Sequence, residues 1–270
     1  MLGGGSMETS VGRAGVGRVA WPQLPGRPAA ALRVWQRLAG ARRDIALAMR
    51  TARADALRLE DAALLRSRAY SLSRLFARLC AQNGMRIAVS GPIPRGPVVL
   101  TANHVGYLDP VAVGSIVPCI PVAKREVERW PLIGRVGREH GVLFVRRGDA
   151  ASGARALRVG QRVLAARVSL LNFPEGTTTT GETVLPFRRG VFGLARIADV
   201  PVVPVALSCD DAALTWTGDD PFLPHFVRTL ARREIVLRVR FGCAMTPRRY
   251  GSAEDLAREA HAVVEHLLAA

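Results

Sequence analysis

The sequence predicts an α/β fold in which a mixed, largely parallel sheet is flanked by helices and follows an N-terminal basic amphipathic helical segment. Beyond residue 83, short apolar runs rich in β-branched residues alternate with stretches of helical periodicity. These runs are nearly continuous, as in strands that are covered by helices on both faces of a sheet. The chain has 270 residues, of which 49% are hydrophobic, and this is enough to bury one full core.

The first 82 residues divide into two predicted parts. Residues 1–30 are rich in glycine, proline and arginine, which predicts a disordered N-terminus. Residues 31–82 contain no proline and carry leucines at helical spacing, which predicts one or two helices with a strongly basic remainder. Such a segment either docks on the rest of the protein with a solvated arginine face or lies in anionic lipid, and the pattern leaves both interpretations open.

Residues 83–270 are predicted to form one domain with six strands and four helices. The predicted strands lie at 86–89, 98–101, 142–145, 169–173, 202–207 and 235–241. The predicted helices lie at 110–117, 150–166, 188–198 and 252–269. Between them, residues 211–225 are predicted to form a long loop.

The net charge of the chain indicates which kinds of partner it can bind. The net charge of +16 favours a polyanionic partner, either nucleic acid or anionic lipid headgroups. Aromatic residues make up only 6% of the chain and no nucleic-acid-binding module is recognisable, which argues against nucleic acid.

The four cysteines form no Cys/His cluster of the kind that binds zinc. The sequence has no run of apolar residues long enough to span a bilayer and no recognisable secretory signal. We therefore expect neither a membrane-spanning helix nor a cleaved signal peptide.

The first candidate site residues are His104 and Asp109, which follow the predicted strand 98–101. Asp109 stands before Pro110, which can open a helix, so the carboxylate can meet the imidazole around a tight turn. A carboxylate in that place fixes the tautomer of the histidine and stabilises the imidazolium that forms when the ring takes a proton. The pair alone is equally consistent with a structural histidine beside an ordinary helix N-cap.

A second motif spans residues 172–181, where a predicted strand ends in a glycine-containing turn followed by four threonines. Exposed backbone N–H groups and hydroxyls at such a place suit a phosphate or a developing oxyanion. The segment Pro174–Gly176 alone is also compatible with a simple turn.

A third motif spans residues 141–147 and ends in Arg146 and Arg147. The planar guanidinium group suits bidentate contact with phosphate, and ligands gather at strand ends in α/β sheets. Solvated surface arginines are the alternative in so basic a chain.

Taken together and in this order, the motifs resemble those of the glycerophospholipid (lysophosphatidic acid) acyltransferase family. The family signature is NHxxxxD, then GxxFxxR, then FPEG, then a Val/Ile-Pro element. The matching residues are Asn103-His104 with Asp109, Gly141 with Phe144 and Arg147, Phe173 to Gly176, and Val200 to Val205. The resemblance covers about residues 75–245, and the ordered set of four motifs makes it specific.

The resemblance implies direct transfer of an acyl group from acyl-CoA or acyl carrier protein to a lysophospholipid. The preferred acceptor is 1-acyl-sn-glycerol-3-phosphate, and the product is then phosphatidic acid. His104 is then the general base, and Asp109 orients it. The implied substrate-binding residues are Lys124, Gly141, Phe144, Arg146, Arg147, Glu175, Gly176, Thr177 and Thr178. No metal and no bound cofactor are needed. The implied location is peripheral, on the cytoplasmic face of the cell membrane, with an anionic membrane surface and acyl carrier protein as candidate partners and no nucleic acid.

One departure from the family pattern affects the acceptor. Many members that acylate glycerol phosphates have arginine where this sequence has Thr178. Without that guanidinium group, a strong contact to the acceptor phosphate is missing. The threonine-rich version looks similar to lyso-ornithine lipid O-acyltransferases, which are the alternative. A non-catalytic membrane lipid-binding protein and a hydrolase are rivals of other classes, although no GxSxG nucleophile motif is present.

Overall fold

The computed structural model describes residues 28–146, 148–217 and 220–270, and these residues form a seven-stranded sheet covered by helices. The strands are Met85–Ser90 (β1), Val99–Ala102 (β2), Cys119–Lys124 (β3), Leu143–Val145 (β4), Ser169–Asn172 (β5), Val202–Ser208 (β6) and Ile235–Phe241 (β7). The helices are Pro28–Ala56 (α1), Asp61–Gln82 (α2), Asp109–Ile116 (α3), Ile133–Glu139 (α4), Ala150–Ala165 (α5), Gly190–Ala198 (α6), Phe222–Ala231 (α7) and Ala253–Ala269 (α8). The predicted fold class is confirmed.

The sheet has the strand order β1-β7-β6-β2-β5-β3-β4, and its strands are parallel except where β6 meets β7. Its centre is buried and mostly apolar, since every residue of β2 is buried, with Thr101 as its one polar side chain, and β6 is buried over all but its last residue. Two core clusters pack against the sheet, one with α5, α6 and α8 and the other with α3. The nearly continuous apolar runs therefore indicated the two-sided coverage correctly.

The parallel strands β6, β2, β5, β3 and β4 all end at the same side of the sheet, which we call the carboxyl edge. His104 follows β2 there, and the segment Phe173–Gly176 follows β5. Lys124 ends β3, and Arg146 follows β4. In open α/β sheets, ligands bind outside the carboxyl ends of the strands, so the topology brings the predicted motifs to one place.

The two N-terminal helices are docked on the sheet domain. Arg37 of α1 is buried, and its guanidinium donates to the backbone oxygens of Leu230 and Arg232 at 3.0 and 2.7 Å. Ala69 of α2 belongs to the main core cluster. Of the two interpretations of this segment, the docked one describes the structure, and α1 still exposes an outer face.

Several boundaries differ from those predicted. Helix α1 begins at Pro28, three residues before the predicted helical segment, and residues 1–27, where disorder is predicted, lie outside the described residues. The sequence does not predict β3, because Pro121 interrupts a short apolar run.

The predicted loop 211–225 is also shorter than expected, because α7 begins at Phe222. Pro224 masks this helix in the sequence but is tolerated within its first turn, where the backbone N–H groups have no intrahelical partner. Nor does the sequence predict α4. Among the described residues, no helix is both long enough and apolar enough to cross a membrane.

Candidate active site

Asn103, the first residue after β2, fixes the backbone from which the site is built. Its side chain is buried and pairs with one residue of β6, donating to the Leu207 oxygen at 2.9 Å and accepting from the Leu207 N–H at 2.7 Å. Two hydrogen bonds to the same backbone unit leave the amide little freedom. His104 therefore starts from a defined position on the carboxyl edge.

The predicted contact between His104 and Asp109 is present. His104 Nδ1 lies 2.6 Å from Asp109 Oδ2, and the same oxygen accepts the N–H groups of Val105 and Gly106 at 2.7 and 2.9 Å. Asp109 is 1% exposed and is the first residue of α3, with Pro110 in the first turn. Three donors and the positive end of the helix dipole stabilise the negative charge of this carboxylate.

This geometry determines which nitrogen of His104 can accept a proton. An ionised carboxylate only accepts hydrogen bonds, so Nδ1 carries the hydrogen and Nε2 of the neutral ring carries the lone pair. The side chain is 20% exposed, and its ring stacks on Phe173 with centroids 4.1 Å apart. A basic nitrogen backed by a buried carboxylate is the arrangement required for general base catalysis.

Glu175 lies behind His104. Its carboxylate accepts the His104 N–H at 2.6 Å through Oε1 and the Leu185 N–H at 2.8 Å through Oε2, and the residue is 3% exposed. Burial raises the pKa of Glu175, although both backbone hydrogen bonds act in the opposite direction. The sequence predicts a substrate contact for Glu175, whereas the carboxylate is engaged in bracing the backbone of His104 and the segment that precedes α6.

The threonine-rich segment also packs on His104. The Thr179 N–H donates to the His104 oxygen at 2.8 Å, which ties the loop after β5 to the turn after β2. The Gly176 N–H donates to the Phe173 oxygen at 3.0 Å, so this N–H is already used within the turn. Thr177 and Thr178 are half-buried beside it. Of the polar groups predicted here for an oxyanion, those of the two threonines therefore remain the candidates.

Sequence reasoning missed a polar network under the turn between His104 and Asp109. His225 donates from Nε2 to the Thr215 oxygen at 3.0 Å, so Nδ1 of the neutral ring accepts from the Tyr107 hydroxyl at 2.9 Å. Burial lowers the pKa of His225 and raises that of Tyr107 to about 12, which keeps both groups neutral. The Trp216 N–H donates to the Val105 oxygen at 2.8 Å. These hydrogen bonds join segments that are distant in sequence, so no local sequence pattern predicts them.

The cationic residues occupy the other half of the carboxyl edge. Lys124 and Arg146 are exposed, at the ends of the two strands that follow β5 across the sheet. At about 4.8 Å per strand, they lie roughly 10 and 14 Å along the edge from the end of β2. Arg147, also predicted to bind substrate, lies outside the described residues.

Gly141 and Phe144, which belong to the same sequence motif as Arg146, have structural roles. Gly141 adopts φ +78° just after His140, the C-cap residue of α4, and this conformation favours glycine and ends the helix. Phe144 packs over Gly137, where an added Cβ would lie 2.7 Å from the phenyl ring. These two residues join α4 to β4 and so place the strand end that carries Arg146.

The chain is similar to known acyltransferases. Residues 86–208 match the family model described as Acyltransferase. A lyso-ornithine lipid O-acyltransferase of Pseudomonas aeruginosa is 40% identical over 159 residues, which make up 57% of this chain and 61% of that protein. The match thus spans less than two thirds of that relative.

Further relatives match over a larger share of their length. A lyso-ornithine lipid O-acyltransferase of Rhodobacter capsulatus is 30% identical over 72% of this chain and 74% of the relative. A 1-acyl-sn-glycerol-3-phosphate acyltransferase of Neisseria meningitidis serogroup B is 29% identical over 66% of this chain and 74% of the relative. The crystal structure of the 1-acyl-sn-glycerophosphate acyltransferase of Thermotoga maritima has the same fold, with a TM-score of 0.67, 19% identity, and coverage of 89% of this chain and 95% of that one.

Proposed function

The chain belongs to the acyltransferase family that includes lyso-ornithine lipid O-acyltransferases and 1-acyl-sn-glycerol-3-phosphate acyltransferases, and on that premise we propose that it transfers a fatty acyl group from a thioester to the hydroxyl of a lysophospholipid. The observation that carries the proposal is the contact of 2.6 Å between His104 Nδ1 and the buried Asp109 Oδ2. It leaves Nε2 as the basic nitrogen at a partly exposed position.

The proposed reaction is a single displacement. His104 Nε2 takes the proton of the acceptor hydroxyl while the hydroxyl oxygen attacks the thioester carbonyl carbon. The C–O bond forms, the C–S bond breaks, and the imidazolium returns its proton to the leaving thiolate. Asp109 stabilises the imidazolium between these steps, and a general base of this kind contributes about 10² to 10⁴ in rate.

The negative charge that develops on the carbonyl oxygen needs donors nearby. Thr177 and Thr178 supply hydroxyl and N–H groups in the loop that is bonded to His104 through Thr179. We assign this role to the two threonines, because Gly176 already donates within its own turn.

We assign 1-acyl-sn-glycerol-3-phosphate as the acceptor, with phosphatidic acid as the product. Lys124, an exposed cation two strands from His104 on the carboxyl edge, supports this choice, since a phosphate near the reacting hydroxyl requires a cationic partner within reach. Lyso-ornithine lipid is the second candidate. It is favoured by Thr178 in place of the family's arginine and by the names of two of the relatives.

The test is acyl transfer by the purified protein from palmitoyl-CoA and from palmitoylated acyl carrier protein, with each acceptor supplied separately in detergent micelles. Product that appears only with the lysophosphatidic acid supports the first assignment. Product that appears only with lyso-ornithine lipid replaces it with the second. Consumption of the thioester without any lipid acceptor would indicate a hydrolase, and no turnover with any combination would refute acyl transfer.

We further propose that the protein works as a peripheral protein on an anionic membrane surface at the cytoplasmic face. The outer face of α1 carries Leu32 and Trp35, which are 55% and 68% exposed, together with exposed arginines at positions 42, 43 and 50. Large apolar side chains among arginines are the composition of a helix that lies in the headgroup region of anionic lipid.

Point substitutions test this better than removal of the N-terminal helices, because α2 contributes to the core. Leu32→Ser with Trp35→Ser should reduce co-sedimentation with vesicles that contain phosphatidylglycerol by about tenfold. The matched control is Ile93→Ser with Ile197→Ser, which removes two apolar side chains that are 48% and 66% exposed elsewhere. Equal binding by the two double variants would refute a role for α1.

A further inference from the structure

Helix α5 has a solvent-exposed face that consists of arginine and alanine. Arg155, Arg158 and Arg162 are exposed and share one side of the helix, since they are three and seven residues apart. Small exposed residues flank them on the same side of the helix, namely Ala151, Ala154 and Ala165. The helix contains no acidic residue. It therefore offers a flat cationic surface that another protein can approach closely.

A pocket lies between β4 and the first half of α5, next to this face. Arg125, Arg155, Ser152 and Asp149 line its polar part, and Val142 and Phe144 belong to its apolar part. Arg146 lies near the same opening. The Ser152 N–H is the largest cause that holds the pKa of Asp149 low, and the nearby Arg146 and Arg125 act in the same direction. Two lining arginines, Arg125 and Arg155, together with Arg146 nearby, outnumber the one carboxylate, so the opening keeps a net positive charge and suits an anionic group.

The distance from this pocket to His104 indicates which substrate brings the anion. The pocket lies three strand spacings from the end of β2, which is about 14 Å. In a lysophosphatidic acid, four bonds join the reacting oxygen to phosphorus, which is roughly 5 Å. A phosphopantetheine arm, equivalent to about five extended residues, reaches about 17 Å. A phosphate bound in the pocket therefore lies too far from His104 to belong to the acceptor, whereas the Lys124 side chain can extend from the end of β3 toward a phosphate that lies nearer to His104. The pocket fits the phosphate of the acyl donor.

A comparison with α1 identifies the partner that fits the face of α5. The outer face of α1 combines arginines with Leu32 and Trp35, which can enter a bilayer. On α5 the exposed residues that flank the arginines on this face are alanines, and Leu157, at the margin of the face, is only 36% exposed. Such a face gains little from lipid insertion, whereas its charge is complementary to an acidic protein surface.

We infer that helix α5 and the adjoining pocket form the docking site for an acidic acyl carrier protein. The phosphate of its phosphopantetheine arm binds among Arg125, Arg146 and Arg155, and its acidic surface contacts Arg158 and Arg162. The arm then follows the carboxyl edge and brings the thioester to His104. This inference rests on the proposed acyl transfer and specifies the donor that the site receives.

Charge reversal separates the carrier protein from acyl-CoA, which carries the same arm without the protein. Arg158→Glu with Arg162→Glu should raise KM for palmitoylated acyl carrier protein about 10- to 100-fold, because like charges then face each other. KM for palmitoyl-CoA should stay within about twofold, since these arginines lie outside the pocket. The control, Arg95→Glu with Arg249→Glu, makes the same change at exposed positions away from α5 and should alter neither KM.

A second variant, Arg125→Ala with Arg155→Ala, tests the pocket and should raise both KM values, since both donors carry the phosphate. Direct binding of holo acyl carrier protein, followed by fluorescence anisotropy, makes the surface testable without turnover. Binding that weakens in the α5 variant but not in the control supports the docking site even if transfer to both acceptors fails. Absence of binding by the unaltered protein, or equal effects of the α5 variant on both donors, would overturn it.

Discussion

The two halves of the carboxyl edge differ in how their polar side chains are held. Around His104, the polar groups are buried or half-buried and hydrogen-bonded to their surroundings. Asn103 bonds to β6, Asp109 of α3 bonds to the His104 ring, and Glu175 bonds to the His104 backbone. In the other half, Lys124, Arg125 and Arg146 are exposed. One half is fixed before a substrate arrives, and the other can adjust its long side chains to one.

This difference corresponds to two physical requirements. Proton transfer depends on positions within a few tenths of an ångström, so the base and its carboxylate need rigid support. Attraction of a charged headgroup acts over several ångströms and tolerates variation in side-chain position. We therefore expect substitutions in the first half to lower kcat and those in the second to raise KM.

The largest effect is expected for His104→Ala, which removes the general base. The value of kcat/KM should fall about 10³- to 10⁴-fold. The fold should be retained, because the backbone hydrogen bonds of residue 104 with Glu175 and Thr179 do not involve the ring. Steady-state kinetics and thermal unfolding together check this, and activity above about a tenth of the original would remove His104 from the mechanism.

A somewhat smaller effect is expected for Asp109→Asn. The amide oxygen can still accept from the N–H groups of Val105 and Gly106, but a neutral group cannot stabilise the imidazolium. We expect kcat to fall about 10²- to 10³-fold with little change in KM for the acceptor. If kcat were unchanged while KM rose, Asp109 would be a binding residue instead.

Glu175→Gln tests whether the brace behind His104 matters. Glutamine can accept from only one of the two backbone N–H groups and turns its own donors toward the other, so a buried N–H loses its partner. We expect unfolding to become easier by about 1–3 kcal/mol and kcat to fall about tenfold, while KM for the acceptor changes little. Urea unfolding and kinetics measure both. A change in the acceptor KM alone would restore the substrate contact that the sequence suggested.

Glu175 also shows where prediction from the sequence ends. Strand periodicity predicted most of the sheet, and the turn from His104 to Asp109 followed from a strand end and a helix-opening proline. The direction of the Glu175 carboxylate depends on an N–H that lies 71 residues away in the chain and is brought near by the pairing of β2 and β5. His225 reaches Tyr107 across 118 residues in the same way. Local patterns do not encode such contacts.

The smallest effect is expected in the exposed half, for Lys124→Ala. An exposed cation in water contributes modestly, so KM for lysophosphatidic acid should rise about three- to tenfold, with kcat and thermal stability almost unchanged. Lys124→Arg, which keeps the charge, should restore most of the loss. The increase should shrink as salt is added, because exposed charges are screened. A fall in kcat that salt does not alter would mean that Lys124 belongs to the fixed half of the edge. The residues that take part in the reaction would then extend from β2 as far as β3, and only those at β4 would serve recognition alone.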